Sequence, residues 1–170
     1  MIKDWEKRLE FHEGFKPKKY KCSGGRWTIG IGHNLEARDF TPEEKRAIGD
    51  WKMGITHNAA VMIMKNDVEI CLKDLRKLGF WYYLDDERQY ALLDMCFQLG
   101  WKGLCGFKKM LEAIRVKDYA EAEKQCVESK YGREDTPTRA KRIGHLIRTG
   151  VWVQYKGDLE NDGKGSVGRG

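Results

Sequence analysis

Residues 12–33 read His12-Glu13-Gly14-Phe15-Lys16-Pro17-Lys18-Lys19-Tyr20-Lys21-Cys22-Ser23-Gly24-Gly25-Arg26-Trp27-Thr28-Ile29-Gly30-Ile31-Gly32-His33. The sequence pattern changes inside this stretch, and that change decides the fold. Upstream, Ile2, Trp5 and Leu9 recur at helical spacing, which predicts an amphipathic helix over 2–13. Gly14 and Pro17 end it and leave Glu13 at the helix terminus. Downstream, Tyr20-Lys21-Cys22, a Ser23-Gly24-Gly25 turn and Arg26 to Gly32 predict a small β-hairpin. Glycines at 30 and 32 inside that strand point to close approach of another backbone or of a ligand.

The helical periodicity returns further along the chain. Thr41-Pro42-Glu43-Glu44 is a helix start, with a cap, a proline at the first helical position and a glutamate three residues after the cap. From Thr56 an apolar stripe of Val61, Met64, Val68, Cys71, Leu72, Leu75 and Leu78 predicts a helix of about 22 residues, roughly 33 Å. A helix that long can join two lobes and floor a groove between them. Beyond Gly79 the pattern is entirely helical, around Leu92 to Leu99, Phe107 to Ile114, Tyr119 to Cys126 and, capped by Thr136-Pro137, Arg139 to Ile147. The basic, glycine-rich stretch 157–170 is read as a flexible tail.

The 170 residues suffice for one domain or two small lobes, and 41% hydrophobic side chains exclude disorder across the chain. No apolar run reaches the ~18 residues of a membrane span, so no stable membrane insertion is expected. Met1 to Glu6 holds no apolar signal core, so no ordinary export route is expected. A net charge of +6 suits an anionic polymer, either nucleic acid or a bacterial envelope. Lys and Arg alternate with acids and no nucleic-acid-binding motif occurs, which disfavours nucleic acid. Five cysteines without a C-x-x-C spacing disfavour a disulfide framework and a zinc site. Cys71, Cys96 and Cys126 read as core residues, Cys105 as part of a glycine-bounded turn, and Cys22 stands apart. No metal or organic cofactor is indicated.

Glu13 is followed nine residues later by Cys22 and fifteen later by Thr28. With Phe97-Gln98-Leu99-Gly100, Gly106-Phe107, Thr136 to Arg142 and Arg148 to Trp152 in order, this resembles the T-even phage lysozyme family, the phage endolysins of glycoside hydrolase family 24. The resemblance covers about residues 1–156. It implies a mostly α, α+β, two-lobed fold: an N-terminal lobe over 1–56 with a small β-sheet, a connecting helix over 57–79 and an all-helical lobe over 80–156. It also implies hydrolysis of the β-1,4 bond between N-acetylmuramic acid and N-acetylglucosamine in bacterial peptidoglycan. A monomer held in the host cytoplasm until release to the wall is expected, with host lysis as the outcome.

Glycoside cleavage needs a protonated acid at the leaving oxygen and a negative group near the developing oxocarbenium ion. Glu13 suits the first role. Thr28 has a hydroxyl able to hold the attacking water, against the plain reading of a β-branched strand residue. Cys22 stands where many members of the family carry Asp. It is read as a thiolate base or electrostatic stabiliser, with covalent attack and an inert replacement as rivals, and Lys19, Lys21 and Arg26 are near enough in sequence to lower its pKa.

By resemblance, Arg139 pairs with Glu13, and His33 with Asp67 ties the sheet to the long helix. Phe97 and Gln98 contact sugar, and Asn34 replaces an apolar contact. His12, His57 and His145 lack ligand spacing and are read as solvated. The competing activities are a lytic transglycosylase, a wall-binding module that has lost catalysis, and a thiol peptidase or amidase using Cys22 and His33.

Overall fold

The structure, a computed structural model, describes residues 2–22 and 24–153, so the expected tail lies outside the described residues. The architecture is α+β and mostly α. Helix α1 (Trp5–Glu13) is followed by strands β1 (Lys16–Lys21), β2 (Trp27–Gly30) and β3 (His33–Asn34), then α2 (Pro42–Ile48) and α3 (His57–Leu75). Four further helices complete it, α4 (Asp86–Cys105), α5 (Lys108–Arg115), α6 (Tyr119–Val127) and α7 (Pro137–Thr149).

Helix α1 begins at Trp5 rather than at residue 2, because Asp4 adopts a positive φ of 53° while Ile2 turns into the core. Gly14, at φ 66°, ends the helix by donating its amide to the Glu10 carbonyl. The sheet is antiparallel in the order β1-β2-β3, with Tyr20 opposite Thr28 and Lys21 opposite Trp27. Strand β2 stops at Gly30, two residues early, and the chain turns at Ile31-Gly32 into a third strand. That strand pairs only His33 and Asn34, too short to leave a periodic signal in the sequence. Gly30 serves close packing: a Cβ there would lie 3.0 Å from the Ala60 side chain and 3.1 Å from that of Ile55. Close approach was expected; the approaching groups are side chains of α3 and the loop before it.

The Thr41–Glu44 capping box forms as predicted, Glu44 N donating to Thr41 Oγ1 at 3.2 Å and Thr41 N to Glu44 Oε2 at 2.7 Å. Glu44 is fully buried and also receives Arg38 and Asn66. Burial opposes its charge, but these bonds outweigh it and hold the carboxyl at about 2.

Helix α3 spans 19 residues, about 28 Å, and ends at Leu75 rather than continuing to Leu78. Its buried face is Ala60, Ile63, Met64, Val68, Cys71 and Leu75; Val61 and Leu72 are only half-buried. It packs against β2 on one side and α4 on the other. Helix α4 breaks at Gly100 (φ 74°, ψ 163°) and resumes to Cys105, which therefore ends a helix instead of sitting in a turn. Thr136 does not cap α7 through its side chain, since its hydroxyl accepts a bond from Gln98 Nε2 at 3.3 Å. Buried apolar side chains from α1, β2 and α3 to α7 form one connected core. Among the described residues no helix is long and apolar enough to cross a membrane.

Candidate active site

A cleft of about 690 Å³ opens between the hairpin and the helices α4 and α7. Glu13, Cys22, Thr28, Asn34, Phe97, Gln98 and Arg139 all line it, so seven of the nine sequence-predicted site residues meet in one cavity. The other two, His33 and Asp67, pair behind it, with Nδ1 and Oδ2 2.7 Å apart and Arg38 Nε on the other carboxylate oxygen at 2.6 Å. That pair ties β3 to α3, the contact that the family resemblance implies.

Glu13 reaches the cleft because α1 ends there and Gly32 leaves room. A Cβ on Gly32 would lie 2.8 Å from the Phe97 ring and 2.9 Å from Glu13 Cγ and Cδ. The φ of 72° at this position also favours glycine. Arg139 Nη1 donates to Glu13 Oε1 at 2.7 Å, while among the described residues Oε2 has no protein partner.

Arg139 is itself held from behind. Its Nε donates to Asp94 Oδ1 at 2.8 Å, and Asp94 Oδ2 receives the Tyr90 hydroxyl at 3.0 Å and faces His12 Nδ1 at 2.7 Å. Asp94 is wholly buried. Burial works against its charge, yet Arg139 and the His12 hydrogen bond prevail and hold the carboxyl at about 2. The histidine expectation is thus corrected. The His12 side chain is almost fully buried in this network and His145 is also buried; His57 is half exposed and pairs with Glu10.

On the opposite wall, Cys22 has its thiol held below the usual range. Burial pushes it up, but backbone hydrogen bonds from Arg26 and Gly24, then the Thr28 and Arg26 side chains, prevail. Of the three cations expected to do this, only Arg26 acts on the sulfur; Lys19 and Lys21 lie over the Trp27 ring instead. Burial and the nearby Glu13 and Cys22 charges push the Tyr20 phenol up, so a neutral donor faces the same cleft. Arg26 also crosses the cleft, Nη2 donating to the Gln98 carbonyl at 3.2 Å.

Sequence reasoning missed Asp94, Tyr90, Tyr20 and the burial of His12. The available signal was Asp94 itself, a lone carboxylate inside the apolar run Tyr90-Ala91-Leu92-Leu93-Asp94-Met95-Cys96. Among the described residues no group of three or more His, Cys, Asp or Glu side chains could hold a metal ion.

A small sheet and a helical array facing each other across a cleft, joined by one long helix, define a lysozyme-like fold. The chain belongs to the phage lysozyme family, a family of glycoside hydrolases whose model matches residues 10–142. It is 30% identical to a probable T4-type lysozyme 1 of Dictyostelium discoideum over 92% of this chain and all of that protein. A probable T4-type lysozyme 2 of the same organism is 27% identical over the same shares. The pre-baseplate central spike protein Gp5 of Enterobacteria phage T4 is 32% identical over 86% of this chain, which spans 28% of that longer protein.

Proposed function

We propose that this lysozyme-family hydrolase cleaves the β-1,4 bond between N-acetylmuramic acid and N-acetylglucosamine, with Glu13 as proton donor and Cys22 as the second catalytic group. The observation that carries this reading is that Glu13, anchored by Arg139, shares one cleft with the Cys22 thiol and the Thr28 hydroxyl. Glu13 Oε2 gives its proton to the leaving glycosidic oxygen as the C1–O bond breaks. The guanidinium of Arg139 then faces the carboxylate that remains. Positive charge developing at C1 is met by the Cys22 thiolate, its negative charge stabilised by the amides of Arg26 and Gly24. A water held by Thr28 adds at C1, and its proton passes to the thiolate.

Amide-supported charge on the sulfur favours this thiolate role over an inert replacement. In the biological setting the protein acts as a monomeric endolysin, bound to no nucleic acid, which waits in the host cytoplasm and lyses the cell once it reaches the wall. The test is product analysis on purified peptidoglycan. New reducing ends support hydrolysis, anhydro-muramic ends would replace it with a lytic transglycosylase, and free amino groups with a peptidase or amidase. No product at all would leave a wall-binding module.

A further inference from the structure

Residues 14–35 hold five of the 32 basic side chains (Lys16, Lys18, Lys19, Lys21 and Arg26) and none of the 26 acidic ones. Five of the six net positive charges therefore sit on the hairpin that forms one wall of the cleft. Strand β1 is an edge of the sheet, and all four of its lysines are exposed. Among the described residues none of the four is ion-paired, although the rest of the surface pairs many of its charges. Three are instead laid over aromatic rings. Lys16 Nζ is 4.3 Å from the Tyr20 ring centre, and Lys19 and Lys21 are 4.9 and 5.3 Å from that of Trp27. Such stacking limits the freedom of the ammonium groups while leaving them uncompensated. The strip adjoins the cleft through Tyr20, beneath Lys16, which lines it together with Arg26, while Lys19 and Lys21 share the other face of the sheet with Trp27.

We propose that this lysine strip docks the peptidoglycan strand outside the cleft by binding the carboxylates of its stem peptides. The inference rests on the proposed substrate. A polymer with carboxylates repeated along it matches a group of unpaired cations on the hairpin beside the site of cleavage, and many weak contacts of this kind raise the local concentration of an insoluble substrate. Lysines on an edge strand also discourage strand pairing between molecules, and that role alone would require no wall affinity.

The test uses the full chain with Glu13→Gln, so that bound wall is not digested, and co-sedimentation with phosphate-free peptidoglycan sacculi. Changing Lys16, Lys18 and Lys19 together to Gln lowers binding about tenfold at low salt. The corresponding triple change to Arg preserves it, and about 0.5 M salt abolishes the difference. Sacculi whose carboxyls have been converted to amides bind the parent and the Gln variant equally weakly. With Glu13 intact, the Gln variant cleaves a short muramyl oligosaccharide at the parental rate, because such a ligand ends within the cleft. Unchanged binding by the Gln variant, unchanged parental binding to amidated sacculi, or a loss confined to walls bearing phosphate polymers would each overturn the proposal. Digestion by the Glu13→Gln chain would instead count against the catalytic reading and leave the binding result standing.

Discussion

The two walls of the cleft are built on opposite physical terms. The hairpin wall presents Cys22, Thr28 and Arg26 on a thin sheet whose edge strand is exposed along almost its whole length. The helical wall presents Arg139 from a chain of buried charges running through Asp94 to His12 and Tyr90. Exposure lets the hairpin meet a large polymer, but an exposed group is poorly fixed. Burial fixes Arg139, and Arg139 fixes Glu13, so the acid at the end of α1 is oriented by the core of the helical side.

Glu13 is where the walls meet, and Glu13→Gln gives the largest expected effect. Turnover of peptidoglycan falls about 10²–10⁴-fold, with the circular dichroism spectrum unchanged. A Gln variant that digests sacculi at the parental rate removes Glu13 from the chemistry.

Asp94→Ala probes the buried wall alone. It leaves Arg139 and His12 without their shared carboxylate and lowers stability by about 3–5 kcal/mol, measured by denaturant unfolding. Because the folded Asp94 carboxyl sits at about 2, below its unfolded value, its contribution is complete above about pH 4 and is lost as pH falls through 2. The variant should therefore show a flatter acid limb of stability than the parent.

Cys22 probes the exposed wall. Cys22→Ala lowers turnover about 10²-fold with little change in melting temperature, and Cys22→Asp retains substantial activity. Its depressed pKa means that the thiolate persists to lower pH than an ordinary cysteine. Iodoacetamide should thus label Cys22 first near neutrality, ahead of Cys105 and Cys71, whose thiols are pushed up, and of Cys126, pushed up to about 12. Parental activity in Cys22→Ala would leave the sulfur without a catalytic part.

Gly32→Ala tests the contact between the walls. Its Cβ would press on Phe97 and Glu13, costing about 1–2 kcal/mol in stability and about tenfold in turnover as the acid is displaced. The smallest effect belongs to Arg46→Ala. Its partner Glu43 and Arg46 are both largely exposed, and the melting temperature should not move measurably.

How far each wall was legible in the sequence follows the same division. The hairpin wall is local: a helix stop at Gly14, a Gly-rich turn and a strand run lie within 20 residues, so the segments carrying Glu13, Cys22 and Thr28 were legible, and the resemblance to a family motif marked those three residues as candidates. The capping box at Thr41 and the start of α3 at Thr56 are equally local and form as read. The Asp94 network is not local. Asp94 lies 82 residues from His12 and 45 from Arg139, and nothing in the neighbourhood of His12 distinguishes a solvated ring from a buried one. Thr136 illustrates the same limit, since the hydroxyl of a residue with every local mark of a cap accepts a bond from Gln98 Nε2 and makes none to the helix. The break at Gly100 and the two-residue strand β3 escaped because neither is long enough to carry a period.

The sequence by itself determined which long segments are helix, where the hairpin lies, where the helices capped at Thr41 and Thr56 start, and which three residues match the order of a family motif. Those properties depend on backbone preferences and on neighbours within a few positions, and they are set before the chain folds. Only the tertiary structure decided which groups are charged and where they point. A carboxylate held down by a buried arginine, or a thiol held down by backbone amides, acquires its chemistry from partners that folding brings within about 3 Å and from the water that folding takes away.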